Sequence, residues 1–140
     1  MQLNIDTGVR EIEIQRNGER VGVVKFSLSD PALMTRLRTV SKKTEEIQAK
    51  SRLNDLTDFD ETLDEAQRLD KEMRDLLDWA FGAPVSDTVF GDSFCFTTSG
   101  GVTGMEQFLA GVTPYIEEAF KAEVAAAKKR QKKYLEKYRK

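Results

Sequence analysis

Apolar residues recur at steps of three and four in the stretch 57–82, TDFDETLDEAQRLDKEMRDLLDWAFG. This spacing places them on one face of an α-helix, and Gly82 is a typical residue to end that helix. The face consists of Phe59, Leu63, Ala66, Leu69, Met73, Leu76, Leu77 and Ala80, and it is widened near its end by Trp79 and Phe81. We therefore expect a long acidic helix whose C-terminal half, residues 73–81, anchors the core.

Residues 9–27 carry the pattern of a β-hairpin. The segments VREIEIQR and ERVGVVKF flank Asn17-Gly18, a dipeptide typical of two-residue hairpin turns. The expected cross-strand pairs on the apolar face are Ile14–Val21 and Ile12–Val23. Val9 and Phe26 then lie on the opposite face. Because a lone hairpin is only marginally stable in water, the apolar face should pack on a helix or join another sheet. An alternative role for the hairpin is an edge that accepts a partner's strand.

A second long helix is expected before the acidic one. Ser29-Asp30-Pro31 combines capping side chains with a proline suited to the first turn, and the helical pattern runs to about Leu53. Asn54 is a candidate C-terminal cap, and Thr57 or Asp58 is a candidate N-terminal cap for the acidic helix. Two helices with a short joint predict an antiparallel αα-hairpin over residues 31–82; one bent helix is the alternative.

The character of the chain changes after residue 82. Residues 84–90 predict a short helix that ends at Gly91. The segment SFCFTT predicts a short buried strand or an extended segment, in which Cys95 is a small buried residue. Residues 99–104 predict a flexible loop.

The last helical region begins near Gly104. Its apolar positions are Met105, Phe108, Leu109, Val112, Tyr115, Ile116, Ala119, Phe120 and Val124. Pro114 either kinks this helix or starts a new one with Thr113 as its cap. Beyond Ala127 the apolar pattern fails, so the helix is expected to project from the body and to fray.

These elements predict one α+β domain over residues 1–140 that is predominantly α-helical. The expected order is an N-terminal β-hairpin (9–27), a long antiparallel helical hairpin (31–82), packed helices with a loop (84–127), and a projecting basic tail (128–140).

The residue types present argue against an enzyme. The chain contains no histidine, one cysteine and no phosphate-binding glycine motif. The commonest general base and transition-metal ligand is therefore missing, and a zinc site is not expected. The acids Asp58–Glu65 do not match an EF-hand loop. We expect no catalytic residues, no metal, no cofactor, no membrane span and no disulfide framework.

Charge is distributed very unevenly along the chain. The net charge is −2, but residues 121–140 hold nine basic and two acidic residues, net +7. Residues 54–78 hold ten acidic and three basic residues, net −7. A basic tail with interleaved tyrosines can bind nucleic acid, bind an acidic protein or the chain's own acidic helix, or simply solubilise a helix end. Head-to-tail pairing between copies would make oligomers that are sensitive to salt.

The order of these parts resembles a known family. Trp79-Ala80-Phe81-Gly82 is followed by Phe90-Gly91-Asp92, and the final helix carries Phe108, Pro114-Tyr115-Ile116 and a Lys-rich end. With the short N-terminal β-segment and the long charged helices, this arrangement is similar to the small tail assembly chaperones of long-tailed bacteriophages and prophages. The resemblance covers most of the chain.

The resemblance implies a non-enzymatic role in the cytoplasm of a bacterial host cell. Chaperones of this family bind and solubilise the tape measure protein, a very long, hydrophobic, helical protein, and assist delivery of tail tube subunits. The candidate partner-binding residues are Trp79, Phe81, Phe90, Phe108, Tyr115, Lys128, Lys129, Arg130, Lys132 and Lys133. The alternative function is an adaptor that binds nucleic acid or an acidic protein through the basic C-terminal helix.

Overall fold

The structure, a computed structural model, describes residues 1–53 and 55–138. Within these residues it contains two small antiparallel sheets and four helices. The elements are β1 (Val9–Arg16), β2 (Glu19–Ser27), α1 (Pro31–Ala49), α2 (Phe59–Phe81), α3 (Val85–Phe90), β3 (Thr98–Ser99), β4 (Val102–Thr103) and α4 (Gly104–Lys137). The predicted α+β class, the N-terminal hairpin and the predominance of helix are confirmed.

Helix α2 is the acidic helix expected from the sequence. The carboxylate of Asp58 accepts a hydrogen bond from the Glu61 amide at 3.0 Å, which satisfies one free donor of the first turn. At the other end Gly82 adopts a left-handed conformation with φ 67°, which costs glycine little because it has no Cβ. The local capping chemistry therefore sets both ends of the helix.

Helices α1 and α2 form the antiparallel αα-hairpin, not one bent helix. The Arg36 side chain, near the start of α1, donates to the Ala80 carbonyl near the end of α2 at 2.6 Å. Helix α1 is shorter than expected because Lys50 already occupies its C-terminal cap. The expected cap at Asn54 lies outside the described residues.

The predicted register of the first hairpin is wrong by one residue. The turn pairs Gln15 with Arg20, but Ile14 then pairs with Gly22, so β2 contains a bulge. The observed cross-strand pairs beyond the bulge are Ile14–Gly22, Ile12–Val24 and Arg10–Phe26. A single extra residue reverses the facing of every later side chain, because strand side chains alternate with a period of two.

The bulge increases the apolar surface that the hairpin buries. It turns Val24 and Phe26 to the face of the hairpin that carries Ile12 and Ile14. Val24 and Phe26 are buried there, whereas Val23 is exposed. Gly22 also lets α3 approach closely, because a Cβ there would lie 3.0 Å from the Thr88 methyl group. The predicted placement of Phe26 on the outer face is therefore corrected.

The core forms where the hairpin, α2 and α4 meet. The Phe81 ring packs edge-on against Phe26 of β2 at 4.8 Å between centroids, and against Phe108 of α4 at 5.7 Å. Leu77 of α2 has no solvent exposure. The expected anchor role of the C-terminal half of α2 is confirmed for its inward-facing residues.

The segment after α3 is not a strand. Residues 93–97 form turns, and regular pairing is limited to Thr98–Ser99 with Val102–Thr103. The reason is that the Cys95 amide donates to the Asp70 carboxylate of α2 at 2.7 Å and has no strand partner. Cys95 is fully buried, as expected.

Helix α4 runs without interruption through Pro114. Proline removes the bond to the carbonyl of Ala110, but both residues are exposed, so water can replace the lost donor. The helix begins at a cap made by Thr103 and continues to Lys137. The expected fraying beyond Ala127 is not seen. Across the described ranges, no helix is both long enough and apolar enough to cross a membrane.

Candidate binding surfaces

A groove runs along the hairpin between β1 and α4. One cavity, nearest the turn at Asn17, has a volume of about 430 Å³. A second cavity of about 650 Å³ adjoins it, and the two share Ile12, Glu13 and Tyr115 as lining residues. Together they follow β1 over almost its whole length, from Gly8 to Asn17. The groove is therefore long enough for a peptide segment.

One wall of this groove is the free edge of a strand. In the described residues β1 pairs with β2 alone, so its other edge carries backbone groups that have no ladder partner. The consecutive residues 12–17 all line the cavity nearest the turn, so this cavity follows the strand and is not confined to one of its faces. Such an edge can form backbone hydrogen bonds with an added strand.

The opposite wall is one face of α4. Phe108, Gly111 and Tyr115 are separated by three and four residues, so they lie on the same side of the helix. Phe108 is half-buried, and Tyr115 is 58% exposed. No atom lies close to the position of a Cβ at Gly111. The α4 wall of the groove is therefore aromatic, with open space at Gly111 between its two rings.

The structure divides the aromatic candidates between the surface and the core. Phe81 and Phe90 are buried, with 8% and 5% exposure, so they do not offer a free surface. The Phe90 ring contributes to the groove floor. Phe108 and Tyr115 lie together on the groove wall. Trp79, expected in the core, is 51% exposed and belongs to a different surface.

Trp79 lies in a shallow groove between α1 and α2. This groove has a volume of about 580 Å³ and is also lined by Ile47 and Leu76. Charges of both signs surround the apolar strip, among them Lys43 and Asp75. Trp79 sits on the flank of the α2 stripe, one position from the fully buried Ala80, which explains why the periodicity alone misplaced it.

The five basic candidates lie together on the projecting end of α4. They are Lys128, Lys129, Arg130, Lys132 and Lys133. All are exposed, and none forms an ion pair within the described part of the chain. The structure does not bring them near Phe108 or Tyr115 as one site.

A polar network on α2 fixes the segment that carries Phe90. Arg74 forms ion pairs with Asp70 at 2.9 Å and with Asp87 at 3.0 Å. The same guanidinium donates to the carbonyls of Gly91 at 2.8 Å and Ser93 at 2.5 Å. Only 13% of the Arg74 side chain is exposed. Arg74 therefore holds the turn after α3 against α2.

Two aspartates of α2 complete this network. Asp78 accepts from the Ser86 amide at 2.8 Å and from its hydroxyl at 2.9 Å, which secures the first turn of α3. Asp70 accepts from the Cys95 amide. The sequence pattern alone assigned no role to Asp70 or Asp78. The usable signal was their spacing with Arg74 at four-residue steps, beside the apolar stripe.

The single thiol is protected and unreactive. Burial, followed by the negative charge of Asp70, raises the pKa of Cys95 from its ordinary value to about 12. The thiol therefore stays protonated at neutral pH, and the thiolate is the reactive form. Among the described residues, no three His, Cys, Asp or Glu side chains are grouped so that they could hold a metal ion.

Comparisons with known proteins identified no relative. No protein-family model matches the chain, and neither a curated protein nor a solved structure shows significant similarity to it.

Proposed function

We propose that the protein is a non-enzymatic assembly chaperone that binds an apolar segment of a client protein in the groove between β1 and α4. The observation that carries the proposal is this groove, which combines an unpaired strand edge with the aromatic wall of Phe108 and Tyr115. Ligand grooves of this kind bind apolar side chains along their walls and backbone groups at the strand edge.

The client we propose is a tape measure protein, with the tail tube protein as a possible second partner. The basis is the resemblance of the chain to tail assembly chaperones, which implies a long, hydrophobic client in the bacterial cytoplasm. A groove suits this task because it can shield short apolar stretches of a client that would otherwise aggregate.

The chemistry of the chain supports a binding role over a catalytic one. The chain has no histidine, and the raised pKa of Cys95 removes its only thiol from nucleophilic use. The polar network around Arg74 serves the fold, because its groups pair with one another and with backbone carbonyls.

Co-expression tests the proposal directly. The chain is produced with the tape measure protein of the phage or prophage that encodes it, and the soluble client is measured with and without the chaperone. We expect more soluble client and a complex that co-purifies. Failure of both would overturn the proposal. A tail tube gene before the coding sequence and a very long helical gene after it would support the same assignment.

A matched pair of variants assigns the binding to the groove. Tyr115→Asp places a charge on the exposed groove wall and should abolish co-purification. Val102→Asp places the same charge on an exposed apolar residue that does not line the groove, and it should leave binding unchanged. If both variants bind equally well, the client uses another surface.

A further inference from the structure

The exposed end of α4 carries a second apolar surface beyond the groove, whose second cavity reaches along α4 as far as Ala122 and Glu123. We call residues 121–138 the projecting segment; every one of them is exposed. At 1.5 Å per residue it extends about 27 Å. One line of positions continues from Phe120 through Val124, Ala127, Gln131, Tyr134 and Tyr138, and the polar Gln131 interrupts its apolar character. The steps alternate between four and three, which is the spacing of a coiled-coil seam.

The charges beside this seam determine what can cover it. The flanking positions next to the seam include Lys121, Lys128, Arg130 and Lys137, with Glu123 as the acidic exception. Flanking charges select the partner helix in coiled coils. Two projecting segments packed together would bring two strongly basic helices into contact, which is unfavourable. The charge of the seam therefore favours an acidic helix as its partner.

The start of α2 has the complementary character. Phe59 is 75% exposed and Leu63 is 43% exposed, and they lie one turn apart on the helix. The surrounding acids Asp60, Glu61 and Asp64 are exposed and form no ion pair within the described part of the chain. Residues 54–78 carry net −7, which balances the net +7 of residues 121–140.

These two surfaces do not meet within one copy of the chain. Both are solvent-exposed, and the ion pairs of the acidic helix are made within α2 or with Asp87 of α3. We propose that the projecting segment binds the start of α2 (residues 58–64) in a second copy of the chain. The proposal goes beyond the client-binding function and does not depend on the groove.

The contact joins two different surfaces. Each copy can therefore bind a second copy through its projecting segment and a third copy through the start of its α2. Such a contact produces either a closed assembly or longer chains of copies. Opposite charges on exposed surfaces are screened by salt, with a Debye length of about 10 Å at 0.1 M and about 3 Å at 1 M. Self-association should therefore weaken strongly as salt increases.

Sedimentation velocity of the full chain at low and high salt is the first test. We expect assemblies larger than one copy at about 50 mM salt and mainly single copies at about 1 M salt, where charges are screened within about 3 Å. A single copy at both salt concentrations would overturn the proposal. Association that is equally strong at both would also overturn it, because the contact would then not depend on charge.

Charge reversal on the projecting segment is the second test. The tail variant carries Lys128→Glu, Arg130→Glu and Lys137→Glu, and it should sediment as a single copy at low salt. Circular dichroism of the variant reports whether it remains folded. A labelled single-stranded RNA of thirty nucleotides is titrated in parallel. If the unmodified protein is a single copy that binds this RNA, and the tail variant does not, the tail serves nucleic acid and the proposal is overturned.

A compensating variant makes the test specific. The α2 variant carries Asp60→Lys, Glu61→Lys and Asp64→Lys, and it should also be a single copy by itself. In a mixture with the tail variant, each variant's projecting segment meets an α2 start of opposite charge on the other variant. We therefore expect assemblies to return at low salt. If the mixture contains only single copies although both variants are folded, the two surfaces do not bind each other.

The apolar part of the contact is tested separately. The double variant Phe59→Ser and Leu63→Ser leaves every charge unchanged and should weaken association by at least tenfold. Val102→Ser, at an exposed apolar residue on the short β3–β4 hairpin, is the matched control and should associate normally. Unchanged association of the double variant would overturn the seam contact.

Discussion

The two halves of α4 share a helical spacing of three and four residues and have opposite surroundings. In residues 104–120 the apolar stripe is buried against the body, where Val112 and Ile116 have almost no exposure. In residues 121–138 a stripe at the same kind of spacing ends in Tyr134 and Tyr138, which are both largely exposed. Apolar spacing therefore identifies the face of a helix that can be covered, but not what covers it.

The difference between the halves arises from the neighbours that the chain can supply. The C-terminal half of α2 ends in Phe81, which packs against Phe108 in the first half of α4. No comparable apolar partner within the described residues reaches the second half, whose flanks are basic. The first half of α4 belongs to the fold, whereas the second half is available for other molecules.

Truncation of one leucine in the body and one in the projecting segment should give the largest difference in the free energy of unfolding. Leu77→Ala empties a site in α2 with no solvent exposure, so the free energy of unfolding should fall by about 3 kcal/mol, within the range for buried leucines. Leu135→Ala on the projecting segment should change it by less than about 0.5 kcal/mol. Urea unfolding at high salt measures both, because association is then suppressed.

The contrast between the two regions would fail if Leu135→Ala lowered the free energy of unfolding as much as Leu77→Ala does, with both measured on the single copy at high salt. The projecting segment would then pack on the body in solution. Equal, small effects at both positions would instead show that the C-terminal half of α2 is not the anchor of the core.

Removal of an arginine provides the second contrast. Arg74→Met removes the ion pairs with Asp70 and Asp87 and the bonds to two carbonyls, leaving Asp70 largely buried without its cation. We expect a loss of about 2–4 kcal/mol in the free energy of unfolding. Arg68→Met, which breaks pairs of an exposed arginine with Glu65 and Glu72, is the matched control.

The control should cost less than about 1 kcal/mol, because exposed ion pairs contribute little. A small effect of Arg74→Met would mean that apolar packing and the bonds from Ser86 to Asp78 are enough to hold the segment from α3 to Ser93. The role of Arg74 is not visible in the sequence, since Arg74 contacts residues up to 19 positions away.

The elements with local signals were predictable from the sequence. The caps at Asp58 and Gly82 mark the two ends of α2, as expected, and Asn17-Gly18 forms the first turn. These features depend on backbone chemistry within a few residues. The αα-hairpin followed because two amphipathic helices joined by a short link can bury their stripes together.

The features that depend on distant contacts were not predictable in the same way. The bulge in β2, opposite the step from Ile14 to Gln15, depends on which side chains of β2 the helices can bury. The groove depends on how α4 lies beside the free edge of β1. Phe108 and Tyr115 were selected as aromatic residues of an amphipathic helix, but their common position on one groove wall required the fold.

The buried thiol gives the body an alkaline sensitivity that the projecting segment, which has no cysteine, does not share. The pKa of Cys95 is about 12 in the folded protein and has an ordinary value of 9.0, so the folded form holds the proton more tightly. Its stabilising contribution is complete below about pH 9 and is lost as the pH rises toward about 12. Each pH unit in this window should cost up to about 1.4 kcal/mol.

Cys95→Ala isolates this effect from the titration of lysine and tyrosine. Urea unfolding at pH 8, 9 and 10 should show a steeper loss of stability for the unmodified protein than for the variant. Parallel losses in both proteins would mean that the thiol becomes accessible to solvent without unfolding of the body.

Trp79→Ala is the most direct check of where the body ends. A fully buried tryptophan would cost roughly 3–5 kcal/mol on truncation, whereas Trp79 is 51% exposed in the groove between α1 and α2. We expect a loss of less than about 1.5 kcal/mol in the free energy of unfolding, since about half of its apolar surface already contacts water. A loss above 3 kcal/mol would place the indole inside the core. A small loss together with unchanged client binding would leave the β1–α4 groove as the binding surface, because Trp79 is the largest exposed aromatic side chain outside it.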